Sequence, residues 1–136
     1  MSSDTAFRER PNVSPLSPEQ LDGFRADLLD RREAVMKTIA DLSETARRTL
    51  ADQLGQLSHL PQHLGELASE VFEQSMALDF LARAEEEMHA IDDALERIDL
   101  RSYGTCDGCR EPIPPARLTA IPEARLCFEC KLESER

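Results

Sequence analysis

Tyr103-Gly104-Thr105-Cys106-Asp107-Gly108-Cys109, answered further on by Leu126-Cys127-Phe128-Glu129-Cys130, is the stretch that decides how this chain reads. Its cysteines spell Cys-x2-Cys-x17-Cys-x2-Cys. Each Cys-x2-Cys pair aims two sulfurs at one point from a tight turn, and two pairs complete the tetrahedron that structural Zn²⁺ prefers. With every vertex filled by protein, none is left for water or substrate. Cys106, Cys109, Cys127 and Cys130 therefore read as ligands of one structural zinc ion with no chemistry at the metal. Gly104 and Gly108 stand where knuckle turns commonly need positive φ, and Pro112, Pro114 and Pro115 punctuate the interval. A short helix is expected after Pro122. A thioredoxin-like dithiol needs only one such pair, set in a βαβ pattern absent here, and paired disulfides suit secreted chains with a signal peptide.

Upstream of the cysteines the pattern is helical. Ser17-Pro18-Glu19-Gln20 gives a start in which Ser17 caps, Pro18 occupies the first turn and Gln20 completes a capping box. Leu21, Phe24, Leu28, Val35, Ile39, Leu42, Ala46 and Leu50 then form one apolar stripe, interrupted by Arg31 and Arg32. Two glycines and a proline break the pattern between Leu54 and Gly65. A second stripe runs through Leu67, Val71, Leu78, Leu81, Ala84, Met88, Ile91, Leu95 and Ile98, its last six members stepping by three and four as a coiled-coil seam does. Two long helices on a short connector predict an antiparallel hairpin, each arm of about 35 residues spanning roughly 50 Å. Phe72 and Phe80 fall off the stripe and are expected to thicken the packing.

The expected organisation is thus all-α: a flexible arm over residues 1–16, a coiled-coil hairpin over 17–100 with its tip at 54–66, and a small four-cysteine zinc finger with a short C-terminal helix over 101–136. Aromatic residues are only 4% of the 136 and there is no Trp, which excludes a large globular core. No apolar run approaches the roughly 20 residues that span a bilayer, and the N-terminal ten residues lack a secretory signal's apolar stretch. A cytoplasmic protein with reduced cysteines is the simplest expectation.

The formal charge of −11 is unevenly distributed. From Glu66 to Asp99 there are 11 acidic residues against two basic ones, whereas residues 101–136 carry six of each. Duplex nucleic acid is bound chiefly through phosphate neutralisation by Lys and Arg, so this balance disfavours direct DNA binding and favours a basic protein surface as partner. Solvation of an exposed helix face accounts for the same carboxylates equally well. Glu85-Glu86-Glu87 and Asp92-Asp93 cannot converge on one substrate, because adjacent helical residues point in different directions. His59, His63 and His89 lack partners at a ligand spacing, and no nucleophile triad or phosphate-cradling loop is present. No enzymatic activity is expected.

The sequence Tyr103-Gly104-Thr105-Cys106-Asp107-Gly108-Cys109, the Ile-Pro-x-x-Arg-Leu-x-Ala run at Ile113 to Ala120, and Pro122-x-Ala124-x-x-Cys127-x-x-Cys130 resemble the zinc finger of the DksA/TraR family of bacterial transcription regulators. With the preceding hairpin the resemblance covers residues 18–136. It implies a stress-response regulator that binds RNA polymerase, not DNA, and inserts its coiled-coil tip into the secondary channel. A guanosine tetraphosphate alarmone at the polymerase interface is the implied co-ligand. Better-known members carry Asp-x-x-Asp-x-Ala at the start of the second helix. The matching positions here are His63-Leu64-Gly65-Glu66-Leu67-Ala68, so His63, Glu66 and Ala68 are the candidate polymerase-facing tip residues. His63 replaces the first acid, which puts in question any effect that needs two carboxylates. The alternatives are a zinc-finger DNA-binding protein, and a stress-related interaction module whose tip has changed.

Overall fold

Ser17 opens the first helix with reciprocal bonds: its backbone N–H donates to Gln20 Oε1 at 2.9 Å, and the Gln20 N–H donates to Ser17 Oγ at 3.2 Å. Two donors that a helix start leaves unpaired are thereby satisfied, as the capping box anticipates. The computed structural model describes residues 14–56 and 64–136, without the side chains of Gln56, Leu64, Glu66 and Leu67. Within these residues the chain forms α1 (Pro18–Gln56), α2 (Leu64–Asp99), α3 (Pro115–Ala120) and α4 (Phe128–Ser134), with no extended strand. The all-α expectation holds. Most of the expected turn at 54–66, and the arm up to residue 13, lie outside the described residues. None of the described helices is long and apolar enough to cross a membrane.

Contacts divide the chain into two compact units. Among the described residues the first comprises 14–32 and 89–136, the second 33–56 and 64–88, and both long helices contribute to each. In the first unit the helix segments run antiparallel: Arg25 pairs with Asp99 at 2.7 Å and Arg32 with Asp92 at 2.8 Å, so one number falls as the other rises. Leu28, Ile91, Ala94 and Ile98 are buried between them. The finger adds Tyr103, Ile113, Leu118 and Ala124 to the same core.

In the second unit Val35, Thr49, Ala77 and Ala84 are buried. The α2 seam follows Glu70, Gln74, Ala77, Leu81, Ala84 and Met88, a regular alternation of four- and three-residue steps. This corrects the apolar pattern read from sequence. Val71, Leu78 and Leu50, all assigned to the stripes, are 47%, 49% and 45% exposed. Phe72 and Phe80, expected to thicken the packing, face water as well, Phe80 lying beneath the Arg83 guanidinium at 5.9 Å.

Candidate metal centre

The first cysteine pair sits on a tight reversal. An isolated antiparallel bridge joins Thr105 to Pro112, and Ile113 N–H donates to the Gly104 carbonyl at 2.8 Å. Inside that frame, Cys106 N–H reaches the Glu111 carbonyl at 2.8 Å and Arg110 N–H reaches the Cys106 carbonyl at 2.9 Å. Gly104 takes φ +92° as expected, and Leu16 Cδ1 lies 3.2 Å from where its Cβ would stand. Gly108 is needed for a different reason from the one anticipated: its φ is not in the left-handed region, but a Cβ there would meet Cys130 Sγ at 3.0 Å. The left-handed residue of this knuckle is Arg110, at φ 65°.

The second pair opens α4. Cys127 is its N-cap, with φ −68° and ψ 168°, and Cys130 lies in the first turn, where Lys131 N–H returns to the Cys127 carbonyl at 2.9 Å. The helix expected after Pro122 thus begins only at Phe128. Pro122 lies within a turn, and its carbonyl accepts the Tyr103 hydroxyl at 2.7 Å. An additional helix, α3, occupies the interval. Pro114 and Pro115, read as punctuating the interval, serve as its cap and first residue, within the first turn, where a missing N–H is harmless.

Three bonds tie the knuckles together: Asp107 N–H to the Arg125 carbonyl at 2.9 Å, Arg125 Nε to Asp107 Oδ2 at 3.0 Å, and Cys127 N–H to Cys106 Sγ at 3.3 Å. Their effect is to bring all four Sγ atoms within 4.8 Å of one another. Cys109 Sγ and Cys127 Sγ are 3.8 Å apart. A tetrahedron with Zn–S bonds of about 2.3 Å has edges of about 3.8 Å, so the donor set fits one Zn²⁺ ion. All four cysteines are free thiols.

The electrostatics of the cluster point the same way. Burial pushes the Cys106 thiol up, but N–H groups of Cys109, Cys127 and Gly108 outweigh it and bring the pKa down to about 7. The bonds from Gly108 N–H and Cys127 N–H to this sulfur are each 3.3 Å. Cys130, by contrast, is pushed up to about 12, first by the Cys127 sulfur and then by Cys106. Burial raises Cys109 too. Thiols this close cannot all ionise without a cation among them, and a dication among four thiolates removes that conflict.

The finger is fastened to the helices of its own unit by residues whose part in this contact no sequence motif marks. Arg97, half-buried, donates from Nη1 to the Ala124 carbonyl and from Nη2 to the Glu123 carbonyl, both at 3.3 Å, and lies 5.8 Å from the Tyr103 ring. Burial lowers its pKa from the ordinary arginine value, with Asp107 opposing. Tyr103 is fully buried and tilts against Phe24 at 5.6 Å. Arg31 reaches the Ala120 carbonyl at 3.2 Å and the Glu123 carboxylate at 3.6 Å. The sequence carried one signal for this role, since Arg97 is one of only two basic residues in an otherwise acidic second helix.

The other candidates are placed as follows. Arg117 Nε donates to the Leu126 carbonyl at 2.9 Å, and Lys131 pairs with Glu135 at 3.6 Å. These two cations and Arg125 border a cleft of about 430 Å³ on the finger. Of the tip candidates, His63 lies outside the described residues, and Glu66 is in the first turn of α2 with its side chain undescribed. Ala68 is exposed on that helix.

Residues 101–136 match the prokaryotic dksA/traR C4-type zinc finger family. An uncharacterised protein of Aquifex aeolicus is 32% identical over 89% of this chain and 80% of its own length. The RNA polymerase-binding transcription factor DksA of Haemophilus influenzae is 31% identical over 95% of this chain and 83% of its own. Among solved structures, the transcription factor DksA2 from Pseudomonas aeruginosa superposes with a TM-score of 0.73 at 30% identity, covering 93% of this chain and 91% of that one. The finger with its four-sulfur cluster, the two long helices before it, and relatives matched along nearly the whole length lead to one assignment: the chain belongs to the DksA/TraR family.

Proposed function

We propose that this protein is a regulator of bacterial transcription that binds RNA polymerase, placing the segment around residues 54–66 in the secondary channel, with His63, Glu66 and Ala68 facing the enzyme. The observation that carries this reading is the 31% identity, along 95% of the chain, to a protein named as an RNA polymerase-binding transcription factor. The zinc ion, ligated by Cys106, Cys109, Cys127 and Cys130, is a structural fastener for the finger and takes no part in chemistry. The regulator is not an enzyme, works in the cytoplasm in keeping with its free thiols, and makes no direct contact with DNA. Its charge of −11 supports the last point, since an acidic surface is steered toward basic protein and away from phosphate. A guanosine tetraphosphate alarmone acts with it at the polymerase interface.

Site-specific photocrosslinking from position 63 to purified RNA polymerase tests this directly. Crosslinks to residues lining the secondary channel are expected. Crosslinks confined to the outer surface of polymerase, or none, would overturn the channel reading. A gel shift with the isolated protein at low ionic strength addresses the DNA-binding alternative: retardation of duplex that weakens steeply with salt would replace polymerase binding as the primary activity.

A further inference from the structure

At four places in the second unit an apolar side chain stands exposed one position after a buried or half-buried residue. Thr49 is buried and Gln53 is half-buried, its Nε2 shielded and without a hydrogen-bond partner among the described residues, yet the next residues, Leu50 and Leu54, are 45% and 61% exposed. On α2, Glu70 is half-buried and Ala77 buried, yet the next residues, Val71 and Leu78, are 47% and 49% exposed. One residue is about 100° of helical rotation. The offset has the same sense on both helices. Because the helices are antiparallel, positions one ahead of the seam fall on the same side of the pair. The opposite side bears this out: Arg48, Asp52 and Glu73, each one behind a seam residue, line one polar hollow of about 260 Å³ together with Thr45 and Thr49. Four apolar side chains therefore share the other side, each exposed beside a polar or small residue that is buried or half-buried in its place.

We infer that this part of the helix pair has two registers. The one described here seats Thr49, Gln53, Glu70 and Ala77 in the seam. A second, reached by turning each helix by about one residue about its own axis, in opposite senses when seen down the pair, seats Leu50, Leu54, Val71 and Leu78 against each other. The same turn carries Thr49, Gln53 and Glu70 into the polar hollow, where water reaches them. Leu81 is the natural junction, since it lies three residues from both Leu78 and Ala84 and continues either seam. Two successive three-residue steps overwind a coiled coil locally, which opposes the second register and keeps it from displacing the first. The outcome is an equilibrium between displaying an apolar face and closing it, in which a ligand that prefers one state shifts the population.

The test is methyl relaxation-dispersion NMR on the full-length, zinc-loaded protein, with Leu and Val methyl groups labelled. Microsecond-to-millisecond exchange is expected at Leu50, Leu54, Val71 and Leu78, with Leu50–Leu78 cross-peaks arising from the minor state. Two variants act on opposite registers. A Gln53→Leu, Gln74→Leu protein makes the present seam apolar, and a Leu50→Gln, Leu78→Gln protein removes the reason for the other. Each should abolish the exchange contribution at the remaining labelled sites. Flat profiles in the wild-type protein overturn the inference, and exchange that persists in both variants overturns it as well, since the motion then has another origin.

Discussion

Tyr103→Phe removes one oxygen from the place where the finger meets the helices. Tyr103 is fully buried, as is Pro122, and the hydroxyl donates to the Pro122 carbonyl at 2.7 Å. The ring keeps its contacts with Phe24 at 5.6 Å and Arg97 at 5.8 Å in the variant, so packing is nearly unchanged and the hydrogen bond is isolated. Stranding a buried acceptor costs about 1–3 kcal/mol, against a net value near 1 for an ordinary exposed bond. Full burial at both ends puts the expectation at about 2 kcal/mol, a fall in thermal midpoint of roughly 6–10 °C for a chain of this size. Calorimetry on the zinc-loaded wild-type and variant proteins measures it. A loss below about 0.5 kcal/mol would refute the claim that this buried bond helps to hold the Pro122 turn to Tyr103. An independent check follows because the chain has a single tyrosine, so ultraviolet titration reports this phenol alone. Burial raises its pKa well above the ordinary 10.0, a trend that Arg97 only partly opposes. The folded state therefore keeps its proton where the unfolded chain has lost it. The associated stability is complete below about pH 10 and disappears as pH climbs further, while the Phe variant lacks that alkaline slope.

Cys127→Ser should release the zinc and unfold residues 101–136 while most far-ultraviolet helical signal survives; unchanged metal content and finger resonances would contradict the structural role of the ion. Gly108→Ala places a methyl at 3.0 Å from Cys130 Sγ, so metal transfer to a chelator should become about tenfold more favourable, an effect absent if the sulfur moves aside freely. Arg110→Gly relieves a left-handed backbone at φ 65° and should raise stability by up to about 1 kcal/mol in denaturant titrations; a loss would mean that the side chain holds the turn by contacts outweighing the strain.

The part of the fold nearest the finger was legible in the sequence because one period served both helices there. Leu81 to Ile98 step by three and four, and Ala84, Ile91 and Ile98 are the buried positions the steps foretell. Farther along, the same rule failed: Val71, Leu78 and Leu50 continue an apolar stripe, but the seam follows neighbours that are polar or small. Hydrophobic periodicity ranks candidate faces and does not choose between two faces a single residue apart. The metal cluster was legible because cysteine spacing fixes which turns can converge, and no long-range information is needed. Its supports were not, since nothing local marks Arg97 as half-buried or Tyr103 as the acceptor-seeking residue at a junction. Both gain their roles from segments more than fifteen residues distant, at Glu123, Ala124 and Pro122. Pro114 and Pro115 misled for the opposite reason: proline ends helices in their interior and begins them at the first residue, and the sequence gives the residue before its position.

The four sulfurs come from neighbouring turns between Cys106 and Cys130, whereas the contacts that moor them reach back to Phe24 and Arg31, more than seventy residues earlier. Short-range contacts form fast and distant ones slowly. Both long helices precede Cys130 in the chain, so the ion is captured after they have been made, by a segment that closes on itself first and finds its berth afterwards. Metal scarcity during growth would accordingly leave its mark on newly made chains, with those already assembled being the last to feel it.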